Sequence, residues 1–280
     1  MVRIVTDSVC DLPKDLAREL GIEVMPLTVS FDGEIFKDGV DINTEEVFKR
    51  LEKTGEFPKT SQVSPGEFIE KFEELTSEND EVICITMSSK LSGTYNSAIL
   101  AKNQLEGKNI EVIDSKGITL GYGLLVVEAA RMAKEGEALE TIARVIREKV
   151  DKMEYLIVFD TLEYVYKGGR ISKAQYIMAN FLNIKVIMTV KNGELEVLDK
   201  VRGRKRAVKY IADYMEKQNI DFSQKTIGIN HANDLEYMGE LRDKILEKNS
   251  PKEIIYSTVG STVAAYSGLS AVALYFEREV

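Results

Sequence analysis

A chain of 280 residues, 44% hydrophobic and 30% charged, can bury a large core and is long enough for two domains. Its net charge of -9 at pH 7 argues against nucleic acid as the main partner, because binding to phosphates needs a basic surface. One histidine and two cysteines exclude histidine-based metal sites, multi-histidine catalysis and a disulfide framework by count.

No apolar stretch in the sequence is long enough to cross a membrane, and no signal peptide precedes the first predicted strand. The sequence therefore predicts a cytoplasmic protein with no integral membrane segment.

Strands and helices alternate through the first half, which is typical of an α/β domain with a mainly parallel sheet. The predicted strands are 3–5, 23–31, 82–85 and 110–113. The predicted helices are 14–20, 45–53, one that begins with a capping box at Ser64, Pro65 and Glu67, one after Ser92, 118–134 and 138–150. Three of the strands end in small hydroxyl or acidic groups, at Asp7-Ser8, Ser88–Ser92 and Asp114-Ser115. Because ligands bind beyond the carboxyl ends of parallel strands, this edge is the predicted binding edge.

The segment from Thr86 to Thr94 carries six small polar or glycine positions within nine residues, directly before an amphipathic helix. Ser92 is the predicted N-cap, so the backbone N–H groups of Gly93, Thr94 and Tyr95 are predicted to be free to bind an anion. Capping and turn solvation alone remain the alternative, although one cap explains only one serine. No glycine-rich dinucleotide fingerprint or Walker loop follows any strand, so the predicted anion is not a nucleotide.

The pattern changes near Asp151, which predicts a parallel α/β domain over 1–152 and an α+β domain over 153–280. The second half contains a predicted strand at 155–159, a helix at 173–182, a hairpin at 185–201 and a helix at 204–217. A strand at 226–230, a helix at 235–247 and strands near 254–258 and 271–276 follow. Asn192-Gly193 between alternating apolar runs is a strong hairpin signal.

Five short motifs occur in order along nearly the whole chain and together resemble the DegV family. They are Val5–Ser8 with Asp11–Pro13, Thr60–Gln62 with Ser64-Pro65, Ser88–Thr94, Asp114-Ser115 with Gly121, and Lys167–Ile171. The resemblance implies a two-domain α/β protein that buries one long-chain fatty acid in an apolar tunnel between its domains.

By the same resemblance the carboxylate lies near Thr60, Ser61, Ser92 and Gly93, and Thr94 completes the candidate set. Hydroxyls, backbone N–H groups and a helix dipole are suitable receptors for a buried carboxylate, which is costly to leave unshielded. Each buried CH₂ of the tail contributes about 0.8 kcal/mol, so tight binding is expected.

Some members of this family present their bound acid to a separate ATP-dependent fatty acid kinase subunit. The resemblance then implies that Arg170 and Arg202 face the carboxylate and this partner, with no catalysis and no cofactor in the chain itself. A domain-bridging salt bridge for Arg170 and a solvated basic face for Arg202 to Arg206 are the structural alternatives. Thr262 stands where the family commonly has a histidine, and a neutral hydroxyl cannot replace an imidazolium.

A serine-dependent hydrolase or transferase is the competing hypothesis, with Ser92 or Ser61 as nucleophile and Asp7 or Asp114 as the acid. Against it, a serine nucleophile needs a positioned base, and His231 is the only histidine. No Gly-x-Ser-x-Gly motif flanks either serine. Nucleic-acid binding through Arg202 to Arg206 is a third reading, and it conflicts with the overall charge.

Overall fold

A computed structural model describes residues 1–77, 80–179 and 183–279 of the chain. Its strands are β1 (Val2–Asp7), β2 (Ile22–Met25), β3 (Thr28–Phe31), β4 (Glu34–Lys37), β5 (Lys59–Ser61), β6 (Glu81–Thr86), β7 (Ile110–Asp114), β8 (Met153–Phe159), β9 (Ile184–Lys191), β10 (Glu194–Arg202), β11 (Thr226–Ala232), β12 (Glu253–Thr258) and β13 (Ala271–Glu277). Its helices are α1 (Lys14–Leu20), α2 (Thr44–Thr54), α3 (Pro65–Thr76), α4 (Thr94–Gln104), α5 (Thr119–Lys134), α6 (Leu139–Val150), α7 (Glu163–Lys167), α8 (Lys173–Ala179), α9 (Arg204–Glu216), α10 (Leu235–Leu246) and α11 (Ser261–Ser267). The predicted end of the 173–182 helix lies outside the described residues.

A parallel sheet and a mixed sheet organise the molecule, as the sequence predicts. The four-stranded sheet has the order β2-β1-β6-β7, and all of its strands are parallel. The six-stranded sheet has the order β10-β9-β8-β13-β11-β12, in which β11 and β12 are parallel and the other neighbours are antiparallel. The strands of the first sheet precede residue 115 and those of the second follow residue 152. The division into domains at 152/153 itself stays a prediction.

The predicted single strand at 23–31 is wrong. It breaks at Pro26 and Leu27 into β2, which stays in the parallel sheet, and β3, which pairs with β4 and β5 in a separate antiparallel sheet. Proline has no N–H to donate to a strand ladder, which explains the break. This third sheet was not predicted, and its strand β5 carries Thr60 and Ser61.

Helix α5 packs between the two larger sheets and contacts strands of both. Its residues are buried over most of its length, since it is covered on several sides. Gly121 allows the closest approach: a Cβ there would lie 2.1 Å from Cε1 of Tyr155, a buried residue of β8. The carboxyl edge of the parallel sheet is thereby held against the face of the six-stranded sheet.

Two local predictions are confirmed in detail. Ser64 caps α3 in a reciprocal capping box with Glu67, and Pro65 is the first helical residue. Asn192 and Gly193 turn between β9 and β10 with positive φ angles of 52° and 86°, as a type I′ hairpin turn requires.

Candidate functional site

A cavity of about 400 Å³ lies between the loops of the parallel sheet and the face of the six-stranded sheet. Most of its wall is apolar. Met87 and Leu91 contribute from the loop after β6, Ile157 and Phe159 from β8, and Val263 from α11. A volume of this size is typical of pockets that enclose a small ligand.

One group of polar residues on the wall consists of Thr60, Ser61, Ser92 and Gly93, and Gly93 lies against Gln62, the residue that follows Ser61. Four of the five residues predicted as a carboxylate site therefore lie on one wall. Thr94 is the exception. It is fully buried in the first turn of α4 and does not line the cavity.

The start of α4 differs from the prediction, because Gly93 rather than Ser92 occupies the N-cap position. Ser92 Oγ accepts the backbone N–H of Thr94 at 3.3 Å and lies 2.9 Å from the Thr94 hydroxyl. A side chain at Gly93 would collide with Gln62, whose Oε1 lies 1.9 Å from the place of a Cβ. Gln62 is itself held by a 2.8 Å bond from its Nε2 to the Ser97 hydroxyl. The glycine thus lets β5 and the N-terminus of α4 meet at the cavity.

The other hydroxyls of this loop serve the fold. Ser88 donates to the carbonyl of Gly193 at 2.7 Å, which fastens the tip of the β9–β10 hairpin to the loop. Ser89 binds the carboxylate of Asp114 through both its N–H and its hydroxyl. Some of the small polar residues between Thr86 and Thr94, which the sequence assigned to an anion site, therefore stabilise the fold instead. Of the small polar residues and glycines in this segment, Ser92 and Gly93 line the cavity.

Arg170 also lines the cavity, beside Leu91 and Tyr266. Its Nε donates to the carbonyl of Leu91 at 3.2 Å and its Nη1 to the carbonyl of Gly168 at 2.6 Å. The guanidinium carbon lies 4.8 Å from the centre of the Tyr266 ring. Arg202, by contrast, is exposed at the end of β10 and does not line the cavity.

Tyr266 was missed by sequence reasoning, as was the helix that carries it. Its hydroxyl is hydrogen-bonded to that of Thr60, and its ring packs beside Arg170 and edge-on to Phe57. Gly260 occupies the N-cap position of α11, and no side chain at that position makes a capping hydrogen bond. Apart from the family position of Thr262, nothing in the sequence indicated that this segment forms a wall of the site.

Two aspartates distant in sequence hold the N-terminus of α11. Asp38 accepts the N–H groups of Ser261 at 2.7 Å and Thr262 at 3.2 Å, and Asp11 accepts that of Gly260 at 2.7 Å. Carboxylates at a helix N-terminus pair with its free N–H groups and its positive dipole end. Burial raises the pKa of Asp11 well above its usual range.

Neither acid proposed for the hydrolase hypothesis lines the cavity. Asp7 accepts the Met87 N–H at 2.8 Å, the Tyr122 hydroxyl at 2.7 Å and the Val9 N–H at 3.1 Å. Burial raises the pKa of Asp7 to about 6, although these hydrogen bonds lower it in part. Asp114 binds Ser89 and the N–H of Lys116.

His231 lines a separate cleft, whereas the candidate nucleophiles Ser61 and Ser92 line the cavity. Its Nδ1 accepts the N–H of Asp234 at 3.0 Å, and its Nε2 lies 3.3 Å from the Thr258 hydroxyl. Burial lowers its pKa. These contacts account for the histidine as a structural residue at the end of β11.

The described residues contain no group of three or more histidine, cysteine or acidic side chains placed to hold a metal ion. Within the same residues, no helix is long and apolar enough to cross a membrane.

Comparison with known proteins gives matches along the whole chain. The profile of a family described as "Uncharacterised protein, DegV family" matches residues 1–279. A DegV domain-containing protein of Caldanaerobacter subterraneus is 43% identical over 278 residues, which cover 99% of each chain. The solved structure of a fatty-acid-binding DegV family protein from Thermus thermophilus is 30% identical, with a TM-score of 0.93 over 99% of each chain. A stearic-acid-binding protein from Eubacterium ventriosum is 28% identical, with a TM-score of 0.88 over 99% of this chain and 98% of the other.

Proposed function

This chain belongs to the DegV family, and from that premise we propose that it binds one long-chain fatty acid in the 400 Å³ cavity. The acyl tail lies against the apolar wall. The carboxylate lies at the polar part formed by Thr60, Ser61, Ser92 and Gly93.

One observation carries this proposal: the hydroxyls of Thr60, Ser61 and Ser92, the N-terminus of α4 and the guanidinium of Arg170 all line one largely apolar cavity. Each CH₂ removed from water contributes about 0.8 kcal/mol, so the tail supplies most of the affinity. A buried carboxylate needs hydrogen-bond donors, which hydroxyls, free N–H groups and Arg170 can supply. Related proteins that carry a fatty acid support the same reading.

The proposed role is that of a non-catalytic cytoplasmic carrier that hands its acid to a separate ATP-dependent fatty acid kinase subunit. Arg170, on the cavity wall, and the exposed Arg202 are the residues proposed to face this partner. The proposed division into domains of 1–152 and 153–280 puts the cavity between them. The separation of His231 from Ser61 and Ser92 supports a role without acyl-transfer chemistry.

Mass spectrometry of organic extracts from the denatured, purified protein tests the proposal. We expect about one fatty acid of roughly sixteen to eighteen carbons per chain after expression in a bacterial host, because binding of this strength survives purification. The delipidated protein should take up one equivalent of stearic acid again. A stoichiometric nucleotide in the extract, or failure to take up any fatty acid, would contradict the proposal.

A further inference from the structure

A second polar cluster lines the same cavity, formed by Thr119, Asn230, Thr262 and Tyr275. These residues come from the start of α5, the end of β11, the first turn of α11 and β13. None of them belongs to the proposed carboxylate site. Thr262 lies one turn before Tyr266 on α11, about 6 Å along the helix axis from the residue that contacts Thr60.

A chain of hydrogen bonds fixes the orientation of three of these residues, Thr119, Tyr275 and Asn230. The hydroxyl of Thr119 donates to that of Tyr275, and the Tyr275 hydroxyl donates to Oδ1 of Asn230 at 3.1 Å. Thr119 holds a φ of 54°, a left-handed conformation that is costly for a β-branched residue. Because the Asn230 carbonyl oxygen is already engaged, its amide nitrogen is the atom left to bind something else.

Two atoms of the cluster have no hydrogen-bond partner within the described part of the chain: Nδ2 of Asn230 and Oγ1 of Thr262. The side chains are almost wholly buried, with residue exposures of 1% for Asn230 and 4% for Thr262. A buried donor left unpaired is costly, and native proteins contain few of them. Both residues line the cavity, but the two atoms themselves expose less than 1 Å² of surface. A polar group on an acyl chain would therefore pair with them once the side chains rotate toward the cavity.

The charge around the cluster decides the class of that group. Asp38 bonds the backbone N–H of Thr262, and the Asp11 carboxylate is close enough to Tyr275 to add to the rise in its pKa that burial causes. Asp11 and Asp38 line the adjoining cleft, so a second carboxylate on a ligand bound at Thr262 would lie near Asp38, with no cation of the described residues between them. A hydroxyl is neutral, accepts from the Asn230 amide and can donate to or accept from Thr262.

We propose that the cavity is built for a hydroxylated fatty acid, whose chain hydroxyl binds Asn230 Nδ2 and Thr262 Oγ1. This inference rests on the proposed fatty-acid binding and narrows its substrate class. The carboxylate site orients the acid, and the second cluster selects chains that carry an oxygen at the matching carbon.

The test compares stearic acid with a series of hydroxystearic acids that differ in the carbon bearing the hydroxyl. Binding to the delipidated full-length protein is measured by calorimetry. At least one hydroxystearic acid should bind about tenfold more tightly than stearic acid, since it pairs both buried atoms. Asn230→Leu and Thr262→Val, which nearly keep side-chain volume, should each reduce that preference at least fivefold.

Ser267→Ala is the matched control. Ser267 also lines the cavity, but its hydroxyl already donates to the carbonyl of Gly268 at 3.0 Å, so the preference should persist. Melting curves show whether each variant is folded. Asn230 and Thr262 lie in different elements, so the test still stands if one of the two variants does not fold.

The outcomes are distinguishable. Wild-type protein that binds stearic acid and prefers no hydroxystearic acid would overturn this inference and leave the proposed function standing. Protein that binds neither would overturn both. Folded variants that keep the preference for a hydroxystearic acid would also overturn the inference. So would variants that bind stearic and hydroxystearic acid more tightly to the same extent, which is the result expected if the cluster binds only water.

Discussion

At the scale of single residues, neighbouring serines of one loop have different tasks. Ser88 and Ser89 are used by the hairpin tip and by Asp114, whereas Ser92 reaches the cavity. Their side chains are chemically identical, so the difference arises from what lies opposite each hydroxyl. Of these three serines, Ser92 is the one that lines the cavity.

Ser92→Ala should weaken fatty-acid binding by about 1 to 3 kcal/mol, because the carboxylate would lose a hydroxyl donor in a buried place. Ser89→Ala is the control, since it removes a bond to Asp114 and should lower stability without changing affinity. Affinity is measured by calorimetry and stability by thermal melting. Equal affinities for wild type and Ser92→Ala would place the carboxylate elsewhere on the wall.

At the scale of elements, α11 shows how a short helix without its own cap is held in place. It has seven residues, and helices this short are marginal in isolation. Its N-terminal N–H groups are taken by Asp38 and Asp11, and the Thr44 hydroxyl binds the carbonyl of Val259 just before it. The first half of the chain thus stabilises a helix of the second half that walls the cavity.

Asp38→Asn should lower the free energy of unfolding by about 2 kcal/mol, because an amide can accept at only one of the two oxygen positions and sets an N–H against a helix N-terminus. Asp41→Asn is the control, since Asp41 is exposed and accepts a single bond, from the N–H of Lys37. Urea unfolding measures both. A loss in Asp38→Asn no larger than in the control would show that the Asp38 carboxylate does not stabilise α11.

At the scale of the whole molecule, Arg170 connects the two halves of the chain at the cavity. It bonds the carbonyl of Leu91 in the first half and that of Gly168 in the second, and packs beside Tyr266. The expected alternative was a salt bridge between domains, whereas these bonds go to two backbone carbonyls, and Arg170 at the same time lies on the cavity wall. A planar guanidinium can bond both carbonyls at once, because its N–H donors have a fixed, fork-like arrangement.

Arg170→Lys should therefore lower both the melting temperature and the affinity for fatty acid, the latter about tenfold, because an ammonium group keeps the charge but not the fork. Arg202→Lys, at an exposed position away from the cavity, should change neither. Melting curves and calorimetry on both variants decide. Unchanged affinity in Arg170→Lys, with loss only of acyl phosphate formation by a kinase subunit, would assign Arg170 to the partner alone.

The sequence by itself determined the features whose causes are local. The alternation of predicted strands and helices indicated the parallel sheet. Asn192-Gly193 predicted the hairpin, and Ser64 with Glu67 predicted the start of α3. Each of these signals lies in residues that are close together in the chain. The motifs at Thr60-Ser61 and Ser92-Gly93 also pointed to the wall of the cavity.

Only the tertiary structure decided which other groups join that wall. Thr60 meets Tyr266 across 206 positions, and Asp38 caps Thr262 across 224. The separate sheet that carries Thr60, the capping of α11 by Asp38 and the place of Asn230 in the wall depend on such distant contacts. Local patterns cannot encode them, because a distant contact is specified by how whole elements pack and not by the residues beside it in the chain.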